Sequence, residues 1–285
     1  MKKTLIALAV ATSAISGMAH AWTEGDFSGS VDIGGNITAD DYRQKWSWSV
    51  GNGIVGFKNV LTDLTEVRTK LTITVNGNKP ILLGKTTEAF ATPSAAGGYG
   101  GIPLIKFTDY EGASVKIKSP DGVTNEGLAY FVLPMKDAAG TKVGSVKVNA
   151  SYAGVALGAT ATHANLFSVN STAQDQIFYG GIPVNVTKAE LASGVAAAAR
   201  TALFGSLSQA DMTTQLQAVE PAAATDVRDF GQSAPSSMDV NTNKAISAAY
   251  ALGIADGQTI EATFDTAVSG SMQWSAPLNV AVTYN

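Results

Sequence analysis

Apolar residues recur at every second position through most of the chain, which is the pattern of strands with one buried face. The segments RTKLTITV, ASVKIKS and KVGSVKVNASY have it most clearly. The inward side chains that they predict are Leu71, Ile73, Val75, Val115, Ile117, Val143 and, shifted in register, Val146 and Val148. Turn signals such as Asn76-Gly77 and Asp256-Gly257 separate the segments. Many short strands without alternating helices predict an all-β sandwich rather than a doubly wound α/β sheet.

Three stretches depart from this alternation. The run GLAYFVLPM is apolar without a break, which predicts a strand covered on both faces. Helix start signals at Thr187/Glu190 and Ser208/Asp211 predict a helical insert over about residues 187–220. Its inward faces are predicted to carry Leu191, Val195, Ala199, Leu203, Met212, Leu216 and Val219, and Pro221 is predicted to end it. Residues 222–244 contain few apolar residues and predict a long surface loop.

The segment DFSGSVDIGGNIT also alternates, with apolar side chains at Phe27, Val31, Ile33 and Ile37. Glycines between them weaken a strand that has to be stable by itself. It lies near a terminus, where order is usually poorest. Its apolar face therefore needs a partner that the local sequence does not identify.

The final segment, APLNVAVTYN, places Leu278, Val280, Val282 and Tyr284 on one face of a strand. This alternation fits the closing strand of a self-contained sandwich. It fits equally well a strand whose edge is offered to another chain. The residues alone leave both interpretations open.

Composition indicates an exported protein. Residues 1–21 are expected to be a signal peptide, with Lys2 and Lys3, a short apolar core and the cleavage pattern Ala19-His20-Ala21. Loss of the two lysines takes the net charge from −4 to −6, which argues against a nucleic-acid surface. The chain has no cysteine, so stability must come from core burial, sheet pairing or assembly with other chains.

The sequence has no recognisable enzyme signature, and we expect neither a cofactor nor a metal. His163 is the one histidine after the leader, and no G-x-S-x-G motif accompanies it. Asp226 and Asp229 lack the glycine-spaced pattern of a calcium loop, so we interpret them as solvated surface residues. A secreted carbohydrate-active enzyme would need two carboxylates facing a cleft, a pair that sequence distance can hide.

A group of aromatic residues lies on a less regular stretch before the predicted helices. Phe167, Phe178 and Tyr179, together with His163, are candidates for a platform that binds a sugar. The alternative is that these rings cover the small core of the insert, which is the better interpretation for Phe178.

Long segments of the chain resemble one known family. The similar segments are GSVDIGGNITADDYRQKW, KLTITVNGNKPILLGK, GLAYFVLPMK, GTKVGSVKVNASYAGV, AAAARTALFGSLS, SAAYALGIADGQTIEATF and QWSAPLNVA. By these segments the chain is similar to the FaeG-type major subunits of the chaperone–usher fimbriae of enterotoxigenic Escherichia coli.

The resemblance implies an incomplete immunoglobulin-like sandwich (the pilin fold) that lacks its final strand. Residues 22–39 would then be a donor-strand extension that completes a neighbouring copy, and residues 40–285 a single pilin domain. It also implies that Leu278, Val280, Val282 and Tyr284 line the groove edge and first meet the periplasmic chaperone, before the outer-membrane usher. The subunit would reach the cell surface through the periplasm.

The resemblance further implies that the major subunit is itself the adhesin and binds host intestinal glycoproteins or glycolipids. The first alternative is a structural pilin whose adhesin is a separate tip protein. The second alternative, from a different class, is the secreted carbohydrate-active enzyme.

Overall fold

The computed structural model describes residues 42–91, 101–184, 190–232, 238 and 244–285. In chain order the strands are β1 Trp46–Val50, β2 Lys70–Thr74, β3 Lys79–Thr86, β4 Pro103–Thr108, β5 Ser114–Val115, β6 Leu128–Asp137, β7 Lys142–Ala159, β8 Ala164–Ser168, β9 Val227–Gln232, β10 Ala245–Ile254, β11 Thr259–Phe264, β12 Trp274–Ser275 and β13 Asn279–Tyr284. The helices are α1 Gly194–Phe204, α2 Gln209–Gln217 and α3 Pro221–Ala224. These elements confirm an all-β, pilin-like sandwich with a small helical insert.

The long strand β7 organises the larger sheet. Its first half pairs with β6 on one edge and with β11 on the other, and its second half pairs with β8 and β10. The path through the sheet is β1-β3-β10-β7-β11-β2. Since most of these pairs are remote in sequence, the sheet brings together segments from the whole described chain.

A smaller sheet, in the order β13-β4-β5, covers one face of the larger sheet. In its register Val280 pairs with Phe107 and Val282 with Ile105. The main core lies between the two sheets, and its largest fully buried side chains include Tyr152, Tyr250 and Phe107. The predicted inward residues Leu71, Ile73, Val75, Val115, Ile117, Val146 and Val148 are all buried in this core.

The helices cover the outer face of the larger sheet. Every residue of β10 and the second half of β7 are buried, because the main core lies on one face and the helices on the other. Small side chains allow the helices to approach closely. A Cβ on Gly253 would lie 2.5 Å from the Phe204 ring, and a Cβ on Gly194 would lie 2.4 Å from the Leu166 backbone. The alanine-rich sequence of β10 is therefore the surface on which the helices pack.

The prediction that GLAYFVLPM, now β6, is covered on both faces was wrong. In β6 the residues Ala129, Phe131, Leu133 and Met135 are buried, but Val132 is 50% exposed. In the described chain the helices pack mainly on β7, β8 and β10 rather than on β6. Apolar character alone did not distinguish β6 from β10, because the covering element comes from elsewhere in the sequence.

The insert also differs from its prediction at its first helix. Thr187 lies outside the described residues, whereas residues 190–193 are described and are not helical. The helix α1 begins after Ser193, whose Oγ accepts a hydrogen bond from Ala196 N at 3.1 Å. Val195 and Leu203 are about half exposed, and the buried face is instead Ala197, Ala198, Thr201 and Phe204. Small residues face the sheet because α1 packs close to it.

The second helix start was predicted correctly. Ser208 and Asp211 form the capping box of α2, and Met212 and Leu216 are buried. Hydrogen bonds from the Ser208 backbone and hydroxyl lower the pKa of the Asp211 carboxyl. Pro221 does not follow α2 directly but is the first residue of α3. The predicted loop over 222–244 was wrong where β9 pairs in parallel with β8.

A buried polar network attaches α2 to the sheet. The side-chain Oε1 of Gln215 lies 2.7 Å from the hydroxyls of Thr86 and Ser247, and its Nε2 donates to the Thr86 carbonyl at 2.7 Å. Both hydroxyl residues are fully buried. Buried hydroxyls that lose their partners destabilise the folded state.

We therefore expect Gln215→Leu to lower the free energy of unfolding by about 1–2 kcal/mol. The loss is moderate because the Thr86 hydroxyl can still donate to the Ala248 carbonyl at 3.2 Å. Urea denaturation of the purified subunit measures this difference. Gln217→Leu, at the exposed end of the same helix, is the matched control. Equal losses in the two variants would contradict a stabilising role for the network.

Candidate functional site

The C-terminal strand β13 has the alternation predicted for it. Leu278, Val280, Val282 and Tyr284 are half-buried and pack against the main core, while the intervening side chains point to solvent. Within the described chain β13 is hydrogen-bonded to β4 alone, so it is the terminal strand of the small sheet. The other edge of β13 has no hydrogen-bonded strand among the described residues and is therefore available to another strand.

The terminal strands of the two sheets meet on the same side of the sandwich. Trp48 of β1 donates from Nε1 to the Tyr284 hydroxyl at 2.9 Å. Trp48 is itself only half-buried although it packs against the main core. Half-buried apolar side chains of both terminal strands therefore lie on the same side of the sandwich.

Apolar cavities extend from this core to the surface. One cavity of about 660 Å³ reaches the core residues Leu133, Val146, Val148 and Ile260. A neighbouring cavity of about 410 Å³ shares Phe57, Met272 and Trp274 with it. Exposed apolar side chains at Val55 and Val60 line the same region. Exposed apolar surface of this kind is typical of places where proteins bind another segment.

The donor residues predicted from sequence, Phe27, Val31, Ile33 and Ile37, lie outside the described residues, as do the signal peptide and the remainder of the extension. The described residues therefore include the proposed acceptor strand β13 but not the donor segment.

Two of the four aromatic and histidine candidates are not accessible to a sugar. Phe178 is fully buried, with ring centroids 5.7 Å from Trp46 and 5.3 Å from Tyr250. Its ring belongs to the main core rather than to the core of the insert. Phe167 is 8% exposed and packs in the same core from β8. The prediction that Phe167 and Phe178 belong to a sugar-stacking platform is wrong, because the sandwich encloses both rings.

The other two candidates lie on separate elements. His163 is half-buried on the turn between β7 and β8, where its Nδ1 is 3.2 Å from the hydroxyls of Thr160 and Thr162. Tyr179 is half-buried beside β4, and its carbonyl accepts from Ile105 N at 2.8 Å. Tyr179 lines a large open cleft, so it is the candidate that remains closest to a possible ligand.

The two aspartates considered for calcium have structural partners. Asp226 forms a salt bridge with Arg228, and the hydrogen bond from Arg228 lowers the pKa of the Asp226 carboxyl. Asp229 Oδ1 accepts from the backbone amides of Gly194 and Gly231, both at 2.9 Å. Asp229 thus connects β9 to the first residue of α1. Among the described residues no group of three or more His, Cys, Asp or Glu side chains is placed to hold a metal.

No helix in the described ranges has the length and apolar character needed to cross a membrane.

Comparison with known proteins identifies the class to which this fold belongs. The profile of the K88 fimbrial family, described as "Fimbrial, major and minor subunit", matches residues 1–285. The chain belongs to this family of fimbrial subunits, whose place is the fimbria on the cell surface.

The relatives match over their whole length. The chain is 65% identical to K88 fimbrial protein AB of Escherichia coli over 286 residues, which cover 100% of both chains. It is 64% identical to K88 fimbrial proteins AD and AC of the same species, each over 287 residues and 100% of both chains. Membership in the family implies that copies of the chain assemble with one another in a fimbria.

Proposed function

We propose that the chain is a major fimbrial subunit that polymerises by donor-strand complementation. Residues 26–38 of one copy would add a strand between β13 and β1 of the next copy. The observation that carries the proposal is β13, a terminal strand whose inward side chains are half-buried over an apolar core. Main-chain hydrogen bonds to the open edge would provide affinity, and alternate side chains would set the register.

The two partners in this interaction have matching periodicity. Phe27, Val31, Ile33 and Ile37 fall on one face of the extension, as Leu278, Val280, Val282 and Tyr284 do on β13. The glycines of the extension are acceptable in a strand that is stabilised only after it has bound. Burial of its apolar face would complete a core that the described chain leaves partly open.

The same edge has to be protected before assembly for the subunit to remain soluble. An exposed strand edge and apolar cavity invite non-specific pairing. We infer that the periplasmic chaperone covers β13 until the outer-membrane usher exchanges it for the donor segment of the next subunit. The expected signal peptide, residues 1–21, would deliver the chain to the periplasm.

The proposal includes a second role, as an adhesin for host intestinal glycoproteins or glycolipids. Its support is the surface cleft beside Tyr179 and the exposed turn that carries His163. If assembled fimbriae bound no saccharide, the chain would be a structural subunit with its adhesin on another protein. A glycosidase is not favoured, because no carboxylate is present among the described residues that line the cleft beside Tyr179.

Deletion of residues 22–39 tests polymerisation. The mature subunit without this segment is expected to aggregate and to form no fimbriae. A peptide of residues 26–38, or the same segment fused after Asn285, should restore a cooperative thermal transition, because binding to the folded state stabilises it. The transition is followed by circular dichroism and assembly by electron microscopy.

A peptide with Ile33→Asp is the matched control, since it has the same length and backbone but carries a charge on the inserted face. It should not restore the transition. Full stability of the truncated subunit, or equal rescue by the control peptide, would refute the donor-strand proposal.

A further inference from the structure

An open cleft of about 850 Å³ lies against the small sheet. Its walls are β4, residues 114–119 and residues 179–184. The volume is in the range of clefts that bind small ligands, roughly 300–1,000 Å³. It is separate from the apolar cavities described above, with which it shares no lining residue.

Three lysines, Lys106, Lys116 and Lys118, line the cleft, and none of the described residues that line it is acidic. No ion pair involves these three lysines among the described residues. The adjacent carboxylate, Asp109, accepts from the amides of Glu111 and Ala113, so hydrogen bonds within the β4–β5 turn already engage it. A cleft with three uncompensated cations is unusual on a chain with a net charge of −4.

The backbone holds these lysines in place. Lys116 and Lys118 alternate with Val115 and Ile117, which are buried, so both lysines are exposed on the outer side. Lys118 exchanges two backbone hydrogen bonds with Tyr130, of 2.9 and 2.8 Å. Strand pairing therefore fixes the backbone from which the lysines project, so that only side-chain freedom is lost when a ligand binds.

The remaining lining residues offer contacts to a polyhydroxylated ligand. Tyr179 provides a half-buried aromatic ring, and Gln174 provides an exposed amide. Ser114 provides an exposed hydroxyl on the same face as Lys116 and Lys118. An aromatic face next to amide and hydroxyl groups suits a sugar ring, which has apolar and polar sides.

We propose that this cleft binds an acidic saccharide, with the lysines holding its carboxylate or sulfate and Tyr179 contacting its ring. The inference rests on the adhesin part of the proposed function and names the ligand class for it. A neutral sugar would leave three lysines without a counter-charge. An anionic group forms charge-assisted hydrogen bonds with them, which are the stronger kind.

The test measures the binding of three methyl glycosides to fimbriae assembled from the full chain. The probes are the methyl α-glycoside of N-acetylneuraminic acid, methyl galactoside 3-sulfate and uncharged methyl galactoside. Both acidic probes should bind more tightly than the neutral one. Added salt should weaken their binding, because exposed charges are screened. The first two probes also distinguish a carboxylate ligand from a sulfate ligand.

The variant Lys106→Gln/Lys116→Gln/Lys118→Gln should lose roughly tenfold or more in affinity for the acidic probe that binds. The control Lys85→Gln/Lys142→Gln/Lys244→Gln removes the same charge from exposed positions outside the cleft and should retain that affinity. Equal affinity of the wild-type fimbriae for all three probes, or equal losses in the two variants, would overturn the inference.

Failure of the adhesin proposal has a different result. Fimbriae that bind intestinal mucin but not the acidic probes would remain adhesins with another ligand class, and the cleft inference alone would fail. Fimbriae that bind the acidic probes but no mucin or intestinal cells would retain the cleft and lose the adhesin role.

Discussion

Replacement of Phe178 by alanine is expected to lower the free energy of unfolding by about 3–5 kcal/mol, the usual cost of removing a large buried aromatic ring. The ring is fully buried and lies within 6.4 Å, between centroids, of Trp46, Trp48 and Tyr250. Its backbone has a positive φ of 65°, which alanine would inherit, so the variant reports the loss of packing rather than a change in backbone strain.

Tyr179→Ala is the matched control for this prediction. Tyr179 is the next residue, but its side chain is only half-buried. Its removal should cost less than half as much, as measured by urea denaturation of the purified subunit. Equal losses at the two positions would contradict the stabilising role of the buried Phe178 ring. A stable Phe178→Ala subunit with impaired sugar binding would indicate that Phe178 contacts the ligand.

Val282→Asp is expected to weaken binding of the donor segment by roughly a hundredfold, or about 3 kcal/mol. Val282 faces the main core from the terminal strand β13, where the donor strand is proposed to lie. A carboxylate there would lose its water on donor binding without gaining a partner. Titration of the peptide of residues 26–38 into the subunit measures the affinity, and electron microscopy measures fimbria formation.

Ala281→Asp places the same charge one residue away, on the solvent side of β13. Because successive side chains of a strand point to opposite faces, this variant should bind the peptide and assemble normally. Circular dichroism of both variants before assembly separates a binding defect from a folding defect. Normal assembly of a folded Val282→Asp subunit would exclude the proposed position of the donor strand.

The turns were predictable because their cause is local. Gly77 and Gly257 both adopt positive φ between successive strands, at the turn signals Asn76-Gly77 and Asp256-Gly257 that the sequence carries. The second helix start was predictable for the same reason, since Ser208 and Asp211 make their capping contacts within four residues. Such features depend on neighbours in the chain rather than on the rest of the fold.

The first helix and the aromatic candidates were not predictable in the same way. The inward face of α1 was expected to carry Val195 and Leu203, yet the alanine face packs on the sheet. The alanines and glycines of β10 were the available signal, because a strand with such small side chains can accommodate a close helix. Phe178 appeared in an irregular, polar stretch, and only its contacts with β1 and β10 decided that it is buried.

By itself, the sequence determined the β-rich class, the alternation of β13 and the segments by which the chain resembles fimbrial subunits. Each depends on periodicity or on matched residues along the chain. The tertiary structure alone decided which strands are covered twice and which aromatic residues are buried. It also brought Lys106 beside Lys116 and Lys118. These outcomes depend on pairing between segments that are remote in sequence, and a period of two residues indicates a buried face without indicating what covers it.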